Sequence, residues 1–208
     1  MTRRHVLILL RVGAATLVAT AVAVQLNHLN DQGNFRPANF FSFFTIQSNL
    51  LAAGVLLYGA ARLGLNPDLP RLDALRAAAL LYLSLTGIVY GVLLAGYQEE
   101  LQLTLPWVDT VLHRVLPLVM VADWLIQPPS TRLGWRQARW WLAYPVAFVA
   151  YTLIRGPIVD WYPYPFLDPR NDGGYVAVAG YVVAIAVGVL AAVWLLLWTM
   201  TRRRPAMP

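Results

Sequence analysis

The sequence contains no cysteine and no lysine, and only three histidines in 208 residues. Without cysteine there is no disulfide, no thiolate metal site and no cysteine nucleophile. His5, His28 and His113 lack the spacing of a zinc site, so no metal or other cofactor is expected. Charge is scarce too: 12% of residues are charged, against about 25% in a soluble domain. What fills the space is apolar, 59% of the chain with a mean hydropathy of +0.56. Eight tryptophans and ten tyrosines add side chains that settle at the water–lipid boundary. A soluble globular protein is excluded, and a lipid-embedded one is expected.

The net charge of +6 is carried entirely by arginine, most of it at the ends of apolar segments. That is the distribution of topology-setting charge rather than of a nucleic-acid surface. Abundant arginine without lysine also fits a GC-rich bacterial genome, and the bacterial cytoplasmic membrane is the expected location.

Six apolar segments can be drawn, at approximately 6–26, 39–61, 74–96, 106–127, 138–157 and 175–199. Each is long enough to cross about 30 Å of hydrocarbon. The fold class expected is therefore all-α: a polytopic six-transmembrane-helix bundle forming a single domain over 1–208. Arg3, Arg4, Arg11, Arg62, Arg71, Arg76, Arg132, Arg136, Arg139 and Arg202–Arg204 cluster on one set of connections. Asp31, Glu99, Glu100, Asp160, Asp168 and Asp172 mark the other set, with Arg36, Arg155 and Arg170 as the counterweight there. By the positive-inside rule both termini are cytoplasmic, which agrees with an even number of spans. The first segment has a basic start and an Ala21-Val22-Ala23 stretch like a signal-peptide cleavage site; Arg11 inside it favours a retained span. The one long outer connection, Gly156–Gly174, mixes four prolines with four aromatics and reads as either a lid or an interfacial plug.

Polar residues inside the spans converge on one depth. Thr45 lies about six residues, or about 9 Å, inside the second span. Ser48 and Asn49 share its face at i+3 and i+4. His113 lies about as deep in the fourth span, with Asp109 one turn above it. Thr86 and Tyr90 from the third span, and Tyr151, Thr152 and Arg155 from the fifth, reach the same level. Each has a bland alternative. Thr45 could bond its own helix backbone, Ser48 and Asn49 could join helices, and Arg155 could snorkel to the interface. Together they read as a site, because ionisable groups within a span are costly. Thr45 would be a nucleophile and His113 its base. Asp109 could orient the imidazole, Asn49, Tyr90 or Tyr151 could face an oxyanion, and Arg155 could hold a substrate carboxylate. Asp123, with Trp124 at an interface beside it, reads as a helix-end partner for arginine. Gly87 and Gly91 are spaced for close helix contact.

FFTIQSN around Thr45, HRVLPLVMVAD from His113 to Asp123 and VDWYPYPFLD from Val159 to Asp168 resemble motifs of the androgen-induced gene 1 and androgen-dependent TFPI-regulating protein family. The resemblance covers nearly the whole chain and includes the family's bacterial six-helix relatives. It implies an intramembrane threonine hydrolase acting on fatty acid esters of hydroxy fatty acids, with Thr45 and His113 in the catalytic positions. Asp109 and Thr110 stand where the human members have an Asn-His pair, so the ester accepted need not be the same. The expected partners are a lipid or fatty-acid ester and the bilayer, without nucleic acid. Two other classes fit the same residues. A non-catalytic binder or carrier of hydrophobic ligands would tolerate loss of the Thr45 hydroxyl, and a scaffold would lose folding on loss of His113.

Overall fold

A computed structural model describes residues 2–33, 35–95 and 105–202. Glu99, Glu100, Arg203 and Arg204, on which part of the charge pattern rests, lie outside the described residues. Among these residues the chain is all helical and contains no strand. Five helices are long and apolar enough to cross a membrane: Arg3–Asp31, Phe44–Gly64, Asp73–Leu94, Trp135–Val159 and Gly174–Met200. The protein is thus an all-helical, multi-pass membrane protein. The fourth expected segment is also helical, from Pro106 to Ile126, but carries Asp109, Arg114 and Asp123 and is not among the five. The chain divides into two compact units, Met1–Ser130 and Thr131–Pro208.

In the first unit α1 (Arg3–Asp31) lies along α3 (Phe44–Gly64). The buried positions of α1 are Leu7, Arg11, Ala14, Ala15, Val18, Ala21, Val22, Gln25 and Leu29, a stripe at helical spacing rich in small residues. Small side chains let membrane helices approach closely. A single turn, α2 (Pro37–Phe40), precedes α3. The backbone opens between them, with Phe43 extended and the Ser42 hydroxyl turned back onto the Ala38 carbonyl at 2.6 Å. The second span is therefore not one helix from residue 39. Thr45 stands in the first turn of α3 rather than mid-helix.

α4 (Asp73–Val89) runs into a π-helical turn, Tyr90–Leu94. The Pro106–Ile126 stretch is α5 (Pro106–Thr110), a second π-helical turn (Val111–Val115) and α6 (Leu116–Ile126). Proline explains the second irregularity. Leu116 N–H bonds the Val111 carbonyl five residues back, and Pro117 has no N–H to give. The Leu112 carbonyl is left without a donor from its own helix. Gly87 brings α4 close: a Cβ there would lie 3.1 Å from the His113 carbonyl oxygen and 3.3 Å from Pro117. Gly91, its spacing partner, has nothing within 4 Å, so only Gly87 serves as a close contact. Ile88, Val92, Leu118 and Leu125 are exposed, the outward apolar surface that lipid requires.

The second unit is α7 (Trp135–Val159) and α8 (Gly174–Arg202), joined by residues 160–173. α7 carries Pro145 and Pro157 within it and ends at Asp160, in the left-handed region at φ 51°. The connection packs onto its own helices. Tyr164 stacks on Phe166 at 5.3 Å, Phe148 meets Tyr164 at 6.2 Å and Tyr181 meets Phe166 at 6.0 Å. Arg170 pairs with both Asp160 and Asp168, and its hydrogen bond holds the Asp168 carboxyl below the ordinary carboxylate range. Gly156 is required here by space, since a Cβ would sit 2.1 Å from the Tyr162 ring. Gly156→Ala is expected to displace Tyr162 and cost about 1–3 kcal/mol. Earlier proteolytic cleavage within 160–173 would show it, and an unchanged digestion pattern and melting temperature would refute it.

Candidate active site

Thr45, Asp109 and His113 form a connected chain of hydrogen bonds. Thr45 Oγ1 is 3.1 Å from His113 Nε2. On the far side of the ring, Nδ1 is 2.8 Å from Asp109 Oδ1 and 3.1 Å from the Asp109 carbonyl oxygen. Both neighbours of Nδ1 are acceptors, so the ring proton belongs on Nδ1 and the Nε2 lone pair faces the threonine. Tyr90 donates its hydroxyl to Asp109 Oδ2. The two carboxylate oxygens are thus shared between His113 and Tyr90. Thr45 is 7% exposed, and the side chains of His113 and Asp109 are 13% and 14% exposed.

Helix irregularities put these groups together. His113 sits in the middle of one π-helical turn and Tyr90 opens the other. Such turns are rare and concentrate at functional sites. The close approach at Gly87 lays the Tyr90 ring on the imidazole, with centroids 4.2 Å apart and planes 17° from parallel. The Arg114 guanidinium covers the Tyr90 ring, 5.8 Å from its centroid. Thr45 in the first turn of α3 lies at the positive end of the helix dipole, which favours negative charge on or beside its oxygen.

Asn49 and Ser48 are completely buried behind Thr45. Asn49 Nδ2 donates to the Thr45 carbonyl at 2.9 Å and to the Leu112 carbonyl at 3.2 Å, the one left open by the π-helical turn. With its amide hydrogens so used, Asn49 braces the two elements rather than offering a donor to an oxyanion. Its Oδ1 is buried without a partner among the described residues. Ser48 bonds the Thr45 carbonyl at 3.2 Å and Thr86 Oγ1 at 3.1 Å, tying α3 to α4. Tyr151 and Arg155 belong to the second unit. There Tyr151 is exposed and the Arg155 guanidinium lies over Trp161 at 5.4 Å. Every contact around Thr45 described above is made within the first unit.

The sequence pointed to Thr45, His113 and Asp109 but gave Tyr90 no link to Asp109 and did not single out Arg114. Pro117, four residues beyond His113, was the available sign of a distorted helix. Asp123 pairs with arginines as expected, with Arg11 at 2.6 Å and Arg76 at 2.7 Å. Those two arginines are not surface topology charges, however; they are 2% and 5% exposed. Trp124 is likewise buried, 5.4 Å from the Arg76 guanidinium carbon, rather than marking an interface. The two ends of the Pro106–Ile126 stretch thus carry separate polar centres, His113 and Asp123 being about 15 Å apart along the axis.

Fold and site together define a class: a multi-pass helical membrane protein with a buried threonine, histidine and aspartate in hydrogen-bonded series. No family model, curated protein or solved structure matches the chain.

Proposed function

We propose that this protein is an intramembrane hydrolase of lipid esters, with Thr45 as nucleophile and His113 as general base. The observation that carries the reading is the Thr45 Oγ1–His113 Nε2 distance of 3.1 Å with Asp109 held at 2.8 Å from the opposite ring nitrogen. A threonine hydroxyl is a poor nucleophile unless a base lies within hydrogen-bond reach. His113 takes the Thr45 proton as Oγ1 attacks the ester carbonyl. The same proton passes to the departing alcohol, leaving an acyl-threonine. A water molecule, deprotonated by His113, then attacks the acyl carbon and releases the fatty acid and Thr45. Asp109 keeps the imidazole in the useful tautomer and offsets the imidazolium charge, and Tyr90 fixes the carboxylate.

The reading includes membership of the androgen-induced gene 1 family, six spans, cytoplasmic termini and a bacterial cytoplasmic membrane. Pro106–Ile126 serves as the sixth span because its ionisable groups are hydrogen-bonded, paired or stacked locally. Asp109 is engaged by Tyr90 and His113, Asp123 by Arg11 and Arg76, and Arg114 by the Tyr90 ring. Ionisable groups engaged in this way enter a bilayer at lower cost than bare ones. The substrate is an amphiphilic ester, such as a fatty acid ester of a hydroxy fatty acid, entering sideways from the outer leaflet.

The test is labelling of purified protein by a lipid-like fluorophosphonate. An adduct on Thr45, lost in both Thr45→Ala and His113→Ala, is expected. If folded wild type gives no adduct, or labelling survives Thr45→Ala, the site is that of a hydrophobic-ligand binder.

A further inference from the structure

We propose that an arginine-lined pocket in the first unit, near Asp123 and away from His113, binds a phosphoryl anion, supplied by an anionic phospholipid headgroup or by free phosphate. This pocket involves neither Thr45 nor His113 and stands apart from the hydrolase reading. Arg11, Arg62, Arg71 and Arg76 all line it, together with Asp73 and Gln127.

The charges there do not cancel. Asp123 gives one oxygen to Arg11 and the other to Arg76. Asp73 Oδ1 faces Arg71 at 3.2 Å and Arg76 at 3.3 Å. Its Oδ2 already accepts from the Ser130 N–H and hydroxyl at 2.7 and 2.9 Å. Two carboxylates therefore stand against four guanidinium groups and pair with three of them, Arg62 having no ion pair among the described residues. Asp68, in the adjoining turn, is exposed and is not part of the lining. The remaining acceptors are neutral: Gln127 Oε1 for Arg11 at 2.7 Å, the Leu69 carbonyl for Arg62 at 2.7 Å and the Pro128 carbonyl for Arg71 at 2.8 Å. They satisfy N–H groups without offsetting charge. A surplus of two positive charges (four less two) at the end of an apolar bundle is costly, and a bound phosphoryl anion lowers that cost, by two charges as hydrogenphosphate or by one as a phosphodiester headgroup.

Guanidinium forks match phosphoryl oxygens in geometry, and arginine is the residue chosen where that match matters. Arg62 bonds protein only through Nε, which leaves its two terminal amino groups without an acceptor among the described residues. Arg11 Nη1 lies against Gly59, where a Cβ would approach to 2.8 Å, so the absence of a side chain at Gly59 lets the guanidinium reach the pocket. The volume is about 20 Å³, enough for about one water-sized group. A phosphoryl group therefore places one oxygen inside and the rest at the mouth, where Arg62 and Arg71 are partly exposed.

The experiment uses the full chain and two probes. In detergent, the melting temperature is followed against inorganic phosphate at constant ionic strength. In mixed vesicles of phosphatidylglycerol and phosphatidylcholine, retained lipid is identified by native mass spectrometry. Wild type is expected to be stabilised by phosphate, to retain phosphatidylglycerol selectively, or both. Arg62→Gln, which removes no ion pair, is expected to leave the protein folded and to weaken the response at least tenfold. Phosphate stabilisation without lipid selectivity assigns the free anion, and the converse assigns the headgroup. No response to either probe overturns the site. So does a response that Arg62→Gln leaves intact, or that Arg139→Gln in the second unit diminishes equally.

Discussion

Thr45→Ala is expected to bring ester hydrolysis to background, a loss of about 10⁴-fold or more, without change in the melting temperature. The alanine deletes the oxygen that faces His113 Nε2, and the Ser48 hydroxyl, one turn further on, is engaged with Thr86 and the Thr45 carbonyl. Thr45→Ser keeps the oxygen and should retain measurable turnover. Asp109→Asn gives a sharper reading of the electrostatics. An asparagine amide can present an N–H to Nδ1, which moves the imidazole proton to Nε2 and leaves no lone pair for Thr45. A loss of about 10²–10⁴-fold is expected, with lipid binding intact. Hydrolysis of a long-chain ester by wild type and the three variants, each assayed after its fold is checked by melting, separates these effects. Full activity in Thr45→Ala would remove threonine from the chemistry.

Asp123→Ala should produce the largest loss of stability of any single substitution in the first unit. Asp123 is 1% exposed and is the shared counter-charge of Arg11 and Arg76. Removing one member of a buried ion pair leaves uncompensated charge and costs about 3–5 kcal/mol. The consequence spreads because Arg11 lies in the buried stripe of α1, Arg76 on α4 and Asp123 on α6, so one carboxylate joins three helices. Replacing the whole triad, Arg11→Met, Arg76→Met and Asp123→Leu together, should recover most of that loss, since an apolar set of similar volume carries no desolvation cost. Melting and yield of the solubilised protein measure both. If Asp123→Ala melts as wild type does, water reaches this end of the bundle and the triad is not a buried lock.

Helix existence was legible because it depends on local composition. Runs of apolar residues about 20 long, separated by arginine or by proline and glycine, leave few alternatives in a chain that must satisfy its backbone within lipid. The ends were less legible. The break between Phe40 and Phe44 is hidden by four phenylalanines that are equally apolar in helix or turn. The extension of α7 through Pro157, three residues from its C-cap, shows a proline kept within a helix near its end, the ring-fixed φ being a helical one.

The sequence by itself determined the all-helical membrane class and singled out Thr45, His113 and Asp109, because a polar group inside an apolar run is conspicuous at any depth. Only the tertiary structure decided how those groups meet. Two π-helical turns, the missing N–H of Pro117 and the missing side chain of Gly87 set the Tyr90 ring on His113 and free the Leu112 carbonyl for Asn49. None of these is visible as a period or a charge. Arg11 and Arg76 teach the same lesson at the other end. An arginine near the end of a span reads as a topology signal, and its burial against Asp123 depends on a partner 112 residues away in one case and 47 in the other. Pairings over such distances are set by the packing of helices, which spacing along the chain does not encode.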